Sequence, residues 1–314
     1  MNSVPAGIGI GLPKKCLLNA DLPKELETSD EWIVQRTGIR QRYLVSGDET
    51  TASLATEAAR NALNSAGISP NEVDLTIIGT VTGDYTFPST AAIVQRNIGA
   101  GGVAFDLGAA CSGFIFGLNT ADLYIKSGKA KCALVIGADT FSKILDWSDR
   151  SSCVLFGDGA GAMVLRGEEK GERGVKFCKI YSDGKYADYL ITDGGVSTTR
   201  KAGTVKMQGR EVFKFSVEKF CESLEELLKN NDMTVKDIDL LVPHQANARI
   251  IQKIAEKFGI EERKVLINID KYANTSAASI PLALKDAEGM IFTGGSCKNV
   301  VLLSMGAGFT WGSA

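Results

Sequence analysis

The run Val73-Asp74-Leu75-Thr76-Ile77-Ile78 returns later as Ile238-Asp239-Leu240-Leu241-Val242-Pro243, and the segments around both runs keep step with each other. An amphipathic helical pattern precedes each, at 54–66 and at 217–229. Helical patterns follow at 93–98 and 250–258, then strand-like runs at 103–107 and 265–269, then apolar runs at 133–136 and 300–303. Strand and helix periodicities that alternate in this way predict βαβαβ units, each a mainly parallel sheet covered by helices on both faces. A chain that repeats such a unit has two pseudo-symmetric α/β halves, expected at 1–170 and 171–314 with the charged, glycine-bearing stretch 168–174 as the junction. The repeat also sets Ala109-Ala110-Cys111-Ser112-Gly113 opposite Ala273-Asn274-Thr275-Ser276, so those loops should face each other across a pseudo-twofold axis.

With 44% hydrophobic and 23% charged residues, 314 residues can bury a large core without help from a metal or a disulfide. The seven cysteines are odd in number and form no CxxC pair, which predicts reduced thiols and a cytoplasmic setting. Cys132 and Cys153 read as small buried residues within apolar strands. Thirty-five basic against 37 acidic residues leave a net charge of −2, which gives a nucleic-acid role no support. No leader pattern opens the chain and no apolar run approaches membrane-spanning length, so a soluble protein with no membrane partner is expected.

The chain has one histidine, His244, at the turn between the strand-like 238–242 and a helical pattern beginning near Asn247. Such turns, at the carboxyl ends of strands, are where open α/β sheets bind ligands. Position alone nonetheless favours a histidine satisfied by packing. Cys111 follows the strand-like 103–107 and precedes an apolar helical run at 114–125. A helix N-terminus there would favour the nucleophilic thiolate by roughly 0.3–1 kcal/mol, although a small buried residue is an equal reading. Asn274 by itself reads as turn chemistry. The functional expectation rests on the triple, because a histidine and an asparagine supply hydrogen-bond donors suited to a thioester that becomes an enolate on decarboxylation.

Trp32 and Arg36 share one face of a short helix that Thr28 or Ser29 can cap and Gly38 can end, an arrangement fit for stacking on adenine beside phosphate or equally for a solvated surface. Arg249, Lys253 and Lys257 recur at i,i+4 spacing and form, with Lys214, a basic stripe that suits an acidic partner or plain solvation. The glycine runs 7–11 and 157–161 do not open helices, so they read as sites of tight backbone packing and not as phosphate loops.

These residues resemble one family over nearly the whole chain, the β-ketoacyl-acyl carrier protein synthases III. The shared signatures are Thr28-Ser29-Asp30-Glu31-Trp32 with Arg36-Thr37-Gly38-Ile39, Ala110-Cys111-Ser112-Gly113-Phe114, Phe156-Gly157-Asp158-Gly159-Ala160-Gly161, Pro243-His244-Gln245-Ala246-Asn247, Asn274-Thr275-Ser276-Ala277-Ala278-Ser279 and Gly308-Phe309-Thr310-Trp311-Gly312. The resemblance implies a thiolase-like αβαβα sandwich. It implies that Cys111 takes an acyl group from acyl-coenzyme A, and that His244 and Asn274 bind malonyl-acyl carrier protein and stabilise its decarboxylated carbanion. The N–H groups of Cys111 and Gly306 would form the oxyanion hole. Thr28, Trp32, Arg36 and Arg150 would hold the nucleotide, while Phe213, Ala246, Asn247 and Arg249 line a pantetheine tunnel. Lys214, Arg249, Lys253 and Lys257 would dock the carrier protein. Phe87 would close the partner's acyl pocket across a homodimer interface. No metal and no cofactor beyond the coenzyme A thioester substrate is implied.

Two positions depart from the family pattern. Ala273 stands where glycine is usual and would be strained at positive φ, and Met305 stands where some members have phenylalanine. Rival expectations are a thiolase-fold acyltransferase or condensing enzyme of specialised metabolism, and a non-catalytic acyl- or coenzyme A-binding scaffold. A thiolase would need a second cysteine after the last core strand, whereas Cys297 precedes it.

Overall fold

The computed structural model describes residues 1–169, 171, 173–292 and 295–314. Its first part runs β1 (Asn2–Gly11), β2 (Lys15–Leu18), α1 (Asp30–Thr37), β3 (Gln41–Leu44), α2 (Thr51–Ala66), β4 (Leu75–Gly79), α3 (Thr90–Ile98), β5 (Val103–Leu107), α4 (Gly113–Lys126), β6 (Cys132–Thr140) and β7 (Asp158–Glu168). The rest runs β8 (Lys179–Ser182), β9 (Leu190–Thr192), β10 (Val205–Met207), α5 (Gly209–Asn230), β11 (Leu240–Pro243), α6 (Ala248–Phe258), α7 (Ile269–Tyr272), α8 (Ser279–Asp286), α9 (Glu288–Ile291), β12 (Val300–Gly306) and β13 (Thr310–Ser313). The junction expected at 168–174 includes residues 170 and 172, which lie outside the described residues.

Two sheets carry the fold, one in the order β1-β7-β6-β4-β5 and one in the order β11-β12-β13-β8. The repeat is therefore real in space: β4 and β11 correspond, as do β6 and β12. Period-two alternation sorts their apolar side chains to opposite faces. Leu75, Ile77, Ala133 and Val135 face a central layer, where Phe114, Ile115 and Leu118 of α4 and Ile280, Ala283 and Leu284 of α8 meet Leu240, Val242 and Leu302 of the second sheet. Ile78, Leu134 and Ile136 face outward onto α2 and α3. Leu241, Val301 and Leu303 face outward onto α5 and α6. The layers are α2/α3, sheet, α4/α8, sheet, α5/α6, the expected αβαβα sandwich. Each large apolar side chain buried this way contributes about 1.5–3 kcal/mol.

The sheets are less parallel than expected. β4 pairs in parallel with β5 and β6, but β7 is antiparallel to both β6 and β1. In the second sheet only β11–β12 is parallel. No α-helix separates β6 from β7, or β12 from β13, so the chain doubles back instead of crossing over. The strand expected at 265–269 is reduced to a bridge between Leu241 and Val265. The Gln245 side chain takes its place, donating to Leu266 O at 3.1 Å and accepting from Asn268 N–H at 3.0 Å.

The glycines of β1 do pack tightly: a Cβ on Gly9 would stand 2.2 Å from the backbone nitrogen of Ala62 in α2. Of those at 157–161, Gly157 leads into β7 and Gly159 and Gly161 lie within it, again without opening a helix. All seven cysteines are free. Cys132 begins β6 and is buried, whereas Cys153 is buried in a turn and not in a strand.

Candidate active site

Three loops from the two halves converge at the inner ends of the central helices. Cys111 lies in a 3-10 turn, Ala110–Ser112, that leads directly into α4. Thr310 and Ser112 tie this turn to β13, the Thr310 hydroxyl donating to Ala109 O at 2.9 Å and the Ser112 hydroxyl to Thr310 O at 3.0 Å. The Asn274 loop is held by the segment entering β7. Asn274 N–H donates to Leu155 O and Gly157 N–H donates to Asn274 O, each at 3.0 Å. Asn274 Oδ1 accepts from Ser276 N–H at 2.9 Å. That leaves the amide Nδ2 without a protein acceptor among the described residues.

His244 follows β11, its N–H donating to Leu303 O at 2.7 Å. Its Nδ1 lies 2.5 Å from the Ser279 hydroxyl. Asn247 caps α6 by accepting from Arg249 N–H at 2.9 Å. The strand-to-helix turn expected around the histidine is thus present, and the loops of Cys111 and Asn274 do face each other.

Cys111, His244, Asn274 and Gly306 line one cavity of about 100 Å³, with Phe213, Ala246 and Asn247 among its walls. Met305 also lines it, together with Phe156, which opens one of the shared signatures, and with Val212 and Ser216, which the sequence did not single out. Burial dominates the electrostatics. It pushes the Cys111 thiol up to about 12, with Asp139 adding in the same direction against hydrogen bonds from Ser276 and the backbone. Desolvation of the anion thus works against the thiolate bias expected from the helix N-terminus. Burial also lowers His244 to about 3, so the ring is neutral near pH 7.

Backbone strain collects at the same place. Ala110, Ala273 and Ser276 adopt φ of 45°, 59° and 53°. Ala273 at ψ −161° occupies a region suited to glycine. The strain foreseen for that position is present, beside the asparagine it must orient.

The expected nucleotide-side residues gather at the cavity's outer side. Ser29, and not Thr28, caps α1 by accepting from Trp32 N–H, and Gly38 ends that helix at φ 83°. The Thr28 hydroxyl is buried and unpartnered. The Arg36 and Arg150 guanidinium carbons lie 4.3 and 5.4 Å from the Trp32 ring centroid. Gln35, Arg36 and Arg249 line an outer cleft of about 400 Å³. Asn247 Nδ2 donates to Arg36 O at 3.0 Å, linking this cleft to the inner cavity.

Lys253 lies 5.2 Å from the Phe213 ring and Lys214 is exposed, but Lys257 is paired with Glu225 at 3.2 Å. Phe87 is 84% exposed and lines neither space. Among the described residues no group of three or more histidine, cysteine and acidic side chains is placed to hold a metal, and no helix is long and apolar enough to cross a membrane.

A family model described as 3-oxoacyl-[acyl-carrier-protein (ACP)] synthase III matches residues 105–184, and its C-terminal counterpart matches 228–314. A β-ketoacyl-[acyl-carrier-protein] synthase III of Chelativorans is 52% identical over 320 residues, covering 100% of this chain and 98% of that one. The chain belongs to the β-ketoacyl-acyl carrier protein synthase III family. The crystal structure of a 3-oxoacyl-[acyl-carrier-protein] synthase III from Aquifex aeolicus superposes with a TM-score of 0.91 at 46% identity, covering 99% of this chain and 98% of that one. The priming β-ketosynthase of the R1128 polyketide pathway is more distant, at 32% identity with TM-score 0.90, over 99% of this chain and 94% of that one. The chain is a condensing acyltransferase of the initiating step in fatty acid synthesis.

Proposed function

We propose that Cys111 is the acyl carrier of this reaction and that His244 and Asn274 are its decarboxylation pair. The observation that carries the reading is the single cavity shared by Cys111, His244, Asn274 and Gly306. In the first half-reaction the Cys111 sulfur attacks the thioester carbonyl, the carbon–sulfur bond to coenzyme A breaks, and the thiol proton leaves on coenzyme A. The Cys111 and Gly306 N–H groups hold the tetrahedral oxyanion, a contribution of about 3 kcal/mol per donor.

In the second half-reaction the malonyl carboxylate leaves as carbon dioxide and its electron pair passes to the thioester oxygen, which His244 and Asn274 hold by hydrogen bonds. The enolate carbon then attacks the acyl-cysteine, and Cys111 is released and takes a proton from solvent. The neutral imidazole suits donation, and the free amide of Asn274 has the right polarity.

The nucleotide sits against Trp32, Arg36 and Arg150, with Thr28 beside them, and pantetheine passes Phe213, Ala246, Asn247 and Arg249. Lys214, Arg249 and Lys253 steer the acidic carrier protein, with Lys257 at the stripe's end. The halves 1–170 and 171–314 supply nucleophile and donors respectively, in a cytoplasmic homodimer. Support for the dimer is the open edge of β5, where Val103 is 52% exposed, together with exposed Tyr85 and Phe87, a surface that soluble proteins normally cover. Phe87 then limits the primer to short chains.

His244→Ala and Asn274→Ala test the assignment. Each should abolish condensation while Cys111 still gains one acetyl mass from acetyl-coenzyme A. Equal loss of both half-reactions in a folded variant, or an acetyl group on another cysteine, would overturn it.

A further inference from the structure

Ser279 opens α8, and its hydroxyl is buried between two groups of the preceding strand-to-helix turn. His244 Nδ1 lies 2.5 Å away, and Gln245 N–H donates to the same oxygen at 3.3 Å. A hydroxyl carries one proton. Among the described residues no carbonyl or carboxylate accepts a hydrogen bond from Ser279 Oγ, which leaves His244 Nδ1 as the acceptor for that proton. The opposite arrangement, with Nδ1–H donating to Ser279, would strand the serine proton in a buried site without a partner. α8 belongs to the central layer packed between both sheets, so the hydroxyl is held by a rigid element.

We propose that Ser279 is a positioning residue that fixes His244 as the Nε2–H tautomer, making the imidazole a hydrogen-bond donor toward the malonyl thioester and not a base toward Cys111. This rests on the roles assigned above to His244 and Cys111. A neutral ring has one N–H only, so the tautomer decides whether the nitrogen facing the cavity donates or accepts. Ser279 thereby separates the half-reactions: condensation needs the orientation it imposes, whereas acylation does not use the imidazole proton.

The chain's single histidine makes the tautomer directly readable. In the full-length protein labelled with nitrogen-15 histidine, a long-range proton–nitrogen correlation spectrum contains one imidazole. It should show a protonated, pyrrole-type Nε2 and a pyridine-type Nδ1 near neutral pH. In Ser279→Ala that preference should weaken, and kcat for condensation should fall roughly 10- to 100-fold, the range seen when the outer partner of a metal-bound imidazole is removed. KM for malonyl-acyl carrier protein should change far less, and Ser279→Thr, which keeps the hydroxyl, should recover both signals. A protonated Nδ1 in the wild type would overturn the proposal, even if neither variant folds. So would a Ser279→Ala protein with unchanged tautomer and kcat. Matching losses of acylation and condensation in Ser279→Ala, with Nε2 protonated in the wild type, would instead overturn the separate role given to His244.

Discussion

Replacing Gly306 with alanine should slow both half-reactions about 10²- to 10³-fold in a protein that still folds. A Cβ at this position would stand 2.7 Å from the Cys111 backbone nitrogen and 3.0 Å from both the Ala109 carbonyl oxygen and the Ser112 backbone nitrogen. Ordinary contact begins at 3.4 Å, so the turn carrying Cys111 must retreat by about 0.7 Å. A hydrogen bond of about 2.9 Å from Cys111 N–H to an oxyanion would then exceed about 3.5 Å, outside the range in which it stabilises charge. Loss of one such donor lowers a rate about 10²- to 10³-fold. Overpacking of this size costs about 1–3 kcal/mol of stability, which a large core can absorb. The assay is the time course of acetyl mass on Cys111 with acetyl-coenzyme A, followed by single-turnover condensation of any acetylated protein with malonyl-acyl carrier protein, beside circular dichroism and a thermal melt. The loss should strike both steps, unlike that in the His244 and Asn274 variants, because both pass through an oxyanion at the same carbonyl. A folded Gly306→Ala protein that acylates at the native rate would refute the oxyanion-hole geometry.

Because burial holds the Cys111 thiol near about 12, the rate of its alkylation by iodoacetamide in the free enzyme should climb about tenfold per pH unit up to about pH 10. A plateau near neutrality would mean that the helix end outweighs desolvation after all. Phe87→Thr, in a stable dimer, should raise kcat/KM for octanoyl- relative to acetyl-coenzyme A, each added methylene being worth about 0.8 kcal/mol once it can be buried. An unchanged ratio would remove Phe87 from the pocket. Lys214→Glu with Lys253→Glu should raise KM for malonyl-acyl carrier protein more than for acetyl-coenzyme A, with an effect that shrinks as salt is added. These two lysines are chosen because Lys257 is already paired and Arg249 also lines the outer cleft. Equal effects on both substrates would argue against docking there.

The paired apolar runs, the helix stop at Gly38, the tight glycines of β1 and the turn around His244 were all legible in the chain, since each depends on side chains a few residues apart. Local spacing sets which face of a strand is apolar and where a helix can begin. The repeat extended that reach, because two similar units must bury similar faces, and so the meeting of the Cys111 and Asn274 loops could be anticipated. Capping by Ser29 and not Thr28 turned on which hydroxyl met Trp32 N–H, a matter of one residue.

Only the tertiary structure decided the rest. The antiparallel return of β7 depends on how a helix-free connection folds back, and the lost strand at 265–269 on the Gln245 side chain taking over its hydrogen bonds. The protonation of Cys111 and His244 follows from how completely distant segments exclude water, and the direction of the imidazole from a serine thirty-five positions further along the chain. Periodicity encodes which residues turn inward. Desolvation and hydrogen-bond direction are set by whatever else arrives there.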